Sequence, residues 1–270
     1  MKITLVTAYY NRKELFERTL QTIARSSYNN FEFIAVDDAS DEEERIEDLE
    51  EKFDFLQVIR VEPEDKWWKN PCIPYNMGFS VASGDAIIIQ NPECLHVGDI
   101  ISCVAKNLGT PKGEIQKNKY LVFNCYSIDQ MRTEMLKVAT DEELEVLIQP
   151  YLPSFNGDGR MGWYNHHEHR PTMYHFCSAI TREDLRDLSG FDERFAHGIG
   201  FDDNEFLERV VRGGKTITPV LSEDVIAVHQ YHAPSNYQIG QEYIHKNRQL
   251  YDTIQVEKHI KAPENEVFNV

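Results

Sequence analysis

A chain of 270 residues with 41% hydrophobic side chains carries enough apolar surface for a full core, as one large α/β domain or two smaller ones. Its 45 acidic and 28 basic residues leave a formal charge of −17, which argues against wrapping a nucleic acid or presenting a basic face to a membrane. A small anionic substrate remains compatible with that balance if a metal or a local cation cluster neutralises it. Cys72, Cys94, Cys103, Cys125 and Cys177 contain no C-x-x-C pair and are odd in number, so reduced thiols and a cytoplasmic setting are expected. The chain opens directly into strand-like sequence, so no secretory leader is expected, and it holds no N-x-S/T sequon or apolar run of membrane length.

The stretch Ile3-Thr4-Leu5-Val6-Thr7-Ala8 reads as a buried strand of the parallel type. Leu15, Thr19, Leu20 and Ile23 then recur at helical spacing. Residues 31–36 form a second strand that ends in Asp37-Asp38-Ala39-Ser40, and Ser40 with Glu43 predicts a capping box for a helix across Ile46 and Leu49. A third strand spans 55–61. A helix from Tyr75 to Ala82 stops at Ser83-Gly84, and residues 85–90 make a fourth strand. Alternation at this tempo implies an α/β fold with a Rossmann-like, mostly parallel sheet between helices.

The second half is more mixed. Residues 120–124 look like a strand and Thr140 to Ile148 like an acid-capped helix, while 150–171, rich in Gly, Asn, His and aromatics, read as a long functional loop. A strand over Met173 to Ile180 precedes a short helix capped by Thr181, and Val225 to Val228 is the last strand. Residues beyond about 255 are unpatterned and expected to fray. Between these lies Gly190-Phe191-Asp192-Glu193-Arg194-Phe195, then Gly198-Ile199-Gly200-Phe201-Asp202-Asp203-Asn204-Glu205-Phe206. It delivers adjacent carboxylates to a helix that carries Phe206, Leu207, Val210 and Val211 and stops at Gly213-Gly214. Carboxylates at a helix N-terminus either cap it or, on a glycine-rich loop, stand ready as a general base.

Four of these segments, in this order, resemble the family-2 nucleotide-sugar glycosyltransferases of the GT-A fold: Thr7-Ala8-Tyr9-Tyr10-Asn11-Arg12, Val36-Asp37-Asp38-Ala39-Ser40, Asn76-Met77-Gly78 with Ala82-Ser83-Gly84-Asp85, and the Gly190 to Glu205 block. The last is also similar to galactosyltransferase and chondroitin-polymerase domains. The resemblance covers roughly residues 1–240 and implies one GT-A domain over 1–255. Residues 1–100 would be its nucleotide-sugar half, 101–255 its acceptor half and 256–270 a tail. It points to Thr7, Ala8, Tyr9, Asn11, Arg12, Asp38, Asn76 and Asn91 around the nucleotide, with Asp38 accepting from the uracil N–H and Tyr9 or Tyr10 against the base.

The metal motif departs from the family pattern. Asp-x-Asp is replaced by Asn91-Pro92-Glu93, leaving Glu93 as the hard ligand for Mn²⁺ or Mg²⁺. His229 and His232, after the last strand, stand where related galactosyltransferases place a metal or diphosphate contact. Tyr75 stands where many members have Arg, so phosphate charge is sought in Arg12, Lys66 and Lys69. The run from Trp163 to His169 has the look of a zinc site, but the four consecutive residues His166-His167-Glu168-His169 cannot all point at one ion, so Trp163, Tyr164, Asn165 and His166 are expected to form an acceptor platform instead.

The resemblance thus implies an inverting transferase that moves a sugar from a uridine-diphosphate sugar to a glycan or glycoconjugate hydroxyl, as in polysaccharide synthesis. Asp203 would be the base, and Asp202 would orient the acceptor. A non-catalytic carbohydrate- or nucleotide-binding relic is one alternative. A sugar-phosphate nucleotidyltransferase is another, disfavoured because residues 7–12 hold no glycine.

Overall fold

The computed structural model describes residues 1–110, 112–140, 143, 162–222, 224–233, 237–263 and 265–268. Its frame is a sheet of β1 (Ile3–Tyr9), β2 (Phe31–Asp37), β3 (Leu56–Arg60), β4 (Ala86–Gln90), β6 (Lys119–Val122), β9 (Cys177–Thr181) and β10 (Thr216–Pro219). The spatial order is β10-β6-β9-β4-β1-β2-β3. The β1, β2, β3 and β4 pairs and the β6–β10 pair run parallel, whereas β9 is antiparallel to both β4 and β6.

Successive strand residues point to opposite faces, so this sheet divides two cores. Ile3, Leu5, Phe33, Ala35, Ala86 and Ile88 enter one, and Val6, Ile34, Val36, Ile87 and Ile89 the other. The first core is filled by α1 (Lys13–Ile23) and α3 (Ile100–Leu108). The second is filled by α2 (Cys72–Val81), α5 (Arg182–Leu188) and α6 (Asp202–Arg212). A smaller sheet has the order β5 (Cys94–Val97), β11 (Ile226–His229), β7 (Cys125–Ser127), β8 (Trp163–Asn165). Beside it α4 (Gln130–Val138) is capped by Asp129, which accepts from the Arg132 N–H at 2.9 Å. The long α7 (Tyr237–Glu257) follows the small sheet in sequence. No helix among the described residues is long and apolar enough to cross a membrane.

Several local expectations change. The Ser40–Glu43 capping box does not form, because the Ser40 hydroxyl instead accepts the Asn11 N–H at 3.0 Å; residues 42–44 and 47–51 are 3-10 turns. The strand expected from Met173 starts only at Cys177, since Met173 takes a left-handed φ of 60°. The last strand forms as expected, at Ile226–His229, and belongs to the small sheet. Of the helix expected over 140–148, only Thr140 and Glu143 are described. They exchange reciprocal bonds of 2.7 and 3.3 Å, and the rest, with 150–161 of the long loop, lies outside the described residues.

The C-terminal segment expected to fray is docked. Glu193 accepts from the N–H groups of Glu266, Val267 and Phe268 at 2.7–3.2 Å, and the Phe268 ring is buried against Phe79. All five cysteines are free thiols.

Candidate active site

A cavity of about 430 Å³ opens where β1, β2 and β4 end, the carboxyl edge at which open α/β sheets take ligands. Asp38 follows β2 directly and forms one wall. Its Oδ1 accepts the Trp68 indole N–H at 2.8 Å, and its Oδ2 lies 3.0 Å from Lys66 Nζ. Burial pushes the Asp38 carboxyl above its ordinary value, with Lys66 pulling the other way. Tyr10 is 46% exposed, with Lys66 Nζ 4.4 Å from its ring centre.

Past β4 the chain turns through Asn91 and Pro92, both on the cavity wall, into Glu93, which is 1% exposed. The small sheet determines what Glu93 meets. Antiparallel β5 and β11 pair Cys94 with His229, so the residue before Cys94 comes against the end of β11. Glu93 Oε1 lies 2.8 Å from His229 Nε2 and 3.3 Å from His232 Nε2, while Oε2 lies 2.8 Å from Arg12 Nη1. Burial alone would raise the Glu93 carboxyl; the two imidazoles and Arg12 overcome that and hold it well below its ordinary value. Ligand atoms of Glu93, His229 and His232 all lie within 4.8 Å of one another, the one such group among the described residues. One carboxylate and two imidazoles form a donor set that suits Mn²⁺ better than Mg²⁺. The Tyr164 ring packs edge-on against His229, centroids 4.5 Å apart.

The opposite wall is the start of α6. Its N-cap is Phe201 at φ 66°, with no side-chain cap bond, so neither aspartate occupies the N-cap position. A left-handed conformation is costly for a phenylalanine. Packing holds it there: Phe201 lies against Tyr251 of α7 at 5.6 Å, and Asn247 bonds the Gly200 carbonyl at 2.9 Å. Beneath, the buried Glu205–Arg209 pair ties α6 to the Gly190 carbonyl at 2.8 Å.

Asp202 is 5% exposed and accepts from Asn70 Nδ2 at 2.8 Å. Burial, then the neighbouring Asp203 charge, push its carboxyl up to about 6, with Asn70 and His175 opposing. Asp203 has a third of its side chain exposed and pairs through Oδ1 with Nδ1 of His175, on the same cavity. Burial would lower the His175 imidazole, but the Asp203 charge and hydrogen bond carry it above its ordinary value.

Of the residues expected around the nucleotide, Ala8, Arg12, Asp38 and Asn91 line the cavity. The structure gives the others to the fold. Thr7 is fully buried and bonds the Gln90 carbonyl at 2.9 Å, joining β1 to β4. Tyr9 reaches the wall, but its ring is fully buried against Phe16 and its hydroxyl bonds the Glu44 carbonyl, so of the two tyrosines only Tyr10 is free to lie against a base. Asn11 bridges to Asp41, and buried Asn76 clamps Phe191 through both its amide nitrogen and its oxygen.

The expected acceptor platform also dissolves. Trp163 packs on Tyr126, Asn165 bonds the Phe123 carbonyl, and His166 is stacked between His167 and His169; none of these side chains lines the cavity. Tyr164 alone of the four meets the Glu93–His229–His232 group, through His229. Sequence reasoning missed Asn70 and His175. The Asn70-Pro71 step before α2 was a usable signal, whereas His175 was concealed in a stretch read as strand interior.

The description of glycosyl transferase family 2 matches residues 4–188. No curated protein matches the sequence. Among solved structures, the chain is similar to the mannosyltransferase PcManGT from Pyrobaculum calidifontis, in complex with GDP-Man and Mn²⁺. That similarity has 17% identity and a TM-score of 0.55, over 97% of this chain and 66% of that one. It is also similar to S. aureus TarS 1–349 in complex with UDP-GlcNAc, at 12% identity and a TM-score of 0.59, over 88% and 61%. The chain therefore spans no more than about two thirds of either protein, and the likeness carries the α/β, GT-A-type fold. With a match over more than half of its length, the chain belongs to glycosyl transferase family 2.

Proposed function

We propose that this chain is an inverting glycosyltransferase that moves a sugar from a uridine-diphosphate sugar to a hydroxyl of a glycan or glycoconjugate. The observation that carries the reading is one cavity bordered by Asp38, Arg12 and Asp203 together. Asp38 receives the uracil N–H. Each carboxylate oxygen accepts two hydrogen bonds, so the contacts to Trp68 and Lys66 leave room for it. Arg12 and Lys69 supply cationic charge to the diphosphate.

Glu93, His229 and His232 would hold a divalent ion, Mn²⁺ rather than Mg²⁺ by donor type. Such an ion, when bound, neutralises charge on the departing diphosphate. Asp203 Oδ2, with Oδ1 engaged by His175, takes the acceptor proton. The acceptor oxygen forms its bond to the anomeric carbon as the bond to the diphosphate oxygen breaks, and the electron pair leaves with the nucleotide. A single in-line displacement inverts that carbon. Asp202 orients the acceptor from the same helix turn.

The bound nucleotides of the two similar structures, one guanosine and one uridine, support a nucleotide-sugar donor in general. The choice of uridine rests on Asp38. Calorimetric titration with UDP, GDP, UDP-GlcNAc and GDP-mannose, with Mn²⁺ and with chelator, tests it. UDP binding that weakens in chelator is expected; GDP binding alone overturns the uridine assignment, and no nucleotide binding overturns the transferase. Asp203→Asn is expected to leave UDP affinity intact and to lower turnover about 10²–10⁴-fold.

A further inference from the structure

We propose that His175 is the positioning residue of the base, holding Asp203 Oδ1 so that Oδ2 alone faces the acceptor and placing a positive charge beside the two carboxylates. This rests on the assignment of Asp203 as base made above. His175 Nδ1 pairs with Asp203 Oδ1, and among the described residues no hydrogen bond engages its Nε2. The ring has little freedom to turn. It is 6% exposed, with Tyr75 edge-on at 5.2 Å and Phe191 tilted at 4.9 Å.

The walls that hold the ring are themselves fixed. The Tyr75 hydroxyl donates to the Gln90 carbonyl at 2.9 Å, and Asn76 bonds both backbone groups of Phe191. The titratable groups that face the imidazole are Asp203 and Asp202 from α6 and the Tyr75 phenol from α2, which burial keeps neutral; the Gly190 turn presents the Phe191 ring. His175 is thus the cation placed against an otherwise like-charged pair at a helix N-terminus. Its charge opposes the rise of the Asp202 carboxyl as well as pairing with Asp203. A side chain at 32% exposure on a wide cavity would otherwise sample several rotamers, and an error of about 1 Å in a reacting group lowers rate about 10²-fold.

The test uses the full chain, with hydrolysis of the donor that calorimetry selects from the nucleotide-sugar panel as the rate readout. His175→Ala should leave UDP affinity within about twofold, lower kcat about 10- to 100-fold and move the acid limb of the pH–rate profile up by about one unit. His175→Asn, whose amide keeps a donor near Nδ1 without the charge, should recover part of kcat but not the limb. Imidazole resonances followed by NMR give a readout independent of turnover. The His175 signal, identified by its loss in the variants, should titrate at lower pH in Asp203→Asn than in the wild type.

An unmoved acid limb in His175→Ala, or a His175 titration indifferent to Asp203→Asn, overturns the proposal and leaves His175 a packing residue. Wild-type turnover in Asp203→Asn overturns the base assignment instead, and the NMR titration still reports whether the pair exists.

Discussion

Asp202 is the residue at which burial has its clearest chemical consequence. Its carboxyl lies at 5% exposure beside a second carboxylate, and the amide N–H of Asn70 and the His175 charge keep it from rising further. Because a hydrogen bond to the charged form favours that form, its removal must shift the carboxyl upward. Asn70→Ala is therefore expected to move the acid limb of the pH–rate profile to higher pH, with turnover above pH 8 changed less than turnover at pH 6. A profile measured on the wild type and on Asn70→Ala checks this, and a downward shift would contradict the pairing of Asn70 with Asp202. Glu93 has the opposite environment, equally buried but surrounded by donors, and its carboxyl lies low. The two carboxylates are alike in burial and lie on opposite sides of the ordinary value because their partners differ.

At the scale of elements, α2 matters because it lies close against β1. A Cβ built on Gly78 falls 2.4 Å from Val6 Cγ1, inside a core with no room to yield. Gly78→Ala gains helix propensity of about 1 kcal/mol and loses more through overpacking, so a net loss of about 1–2 kcal/mol in denaturant unfolding is expected. α2 also carries Tyr75 and Asn76, so its displacement would reach the His175 wall; kcat should fall along with stability. The β5–β11 pairing is the corresponding device on the other side. Its register, rather than any local motif, puts Glu93 against His229.

The whole molecule is closed by a segment with no periodic pattern. After α7 the chain returns to the turn between α5 and α6, where Asn265 bonds the Phe191 carbonyl at 2.7 Å and Phe268 fills the space beside Gly190. That turn supports the Phe191 ring against His175. Phe268→Ala is expected to cost about 3 kcal/mol, or several degrees of Tm by calorimetry. Donor affinity should hold, because Asp38 and Arg12 belong to the far side of the cavity. Weakened UDP binding in this variant would contradict that separation.

Much of the fold was legible from local pattern. The runs at residues 3–8, 31–36 and 85–90, with a helix between each pair of strands, are properties of neighbouring residues, and hydrophobic period alone implies a doubly covered sheet. Within the site, Asp38, Arg12, Asn91 and the adjacent aspartates stand at strand ends or a helix start, which sequence marks well. What the tertiary structure decided is the direction of each side chain and every partner far away in the chain. Thr7 and Asn76 carry family-like motifs yet spend their polar groups on the fold, because the backbone they adjoin is buried and must be satisfied; Asn11 spends its amide on Asp41 at the surface. His175 meets Asp203 through an antiparallel strand and a glycine turn, Glu93 meets His229 through a sheet register, and Phe268 finds Phe79 across the second core. Periodicity reports which face of an element is apolar; only the packing of those faces determines which polar groups are left in contact.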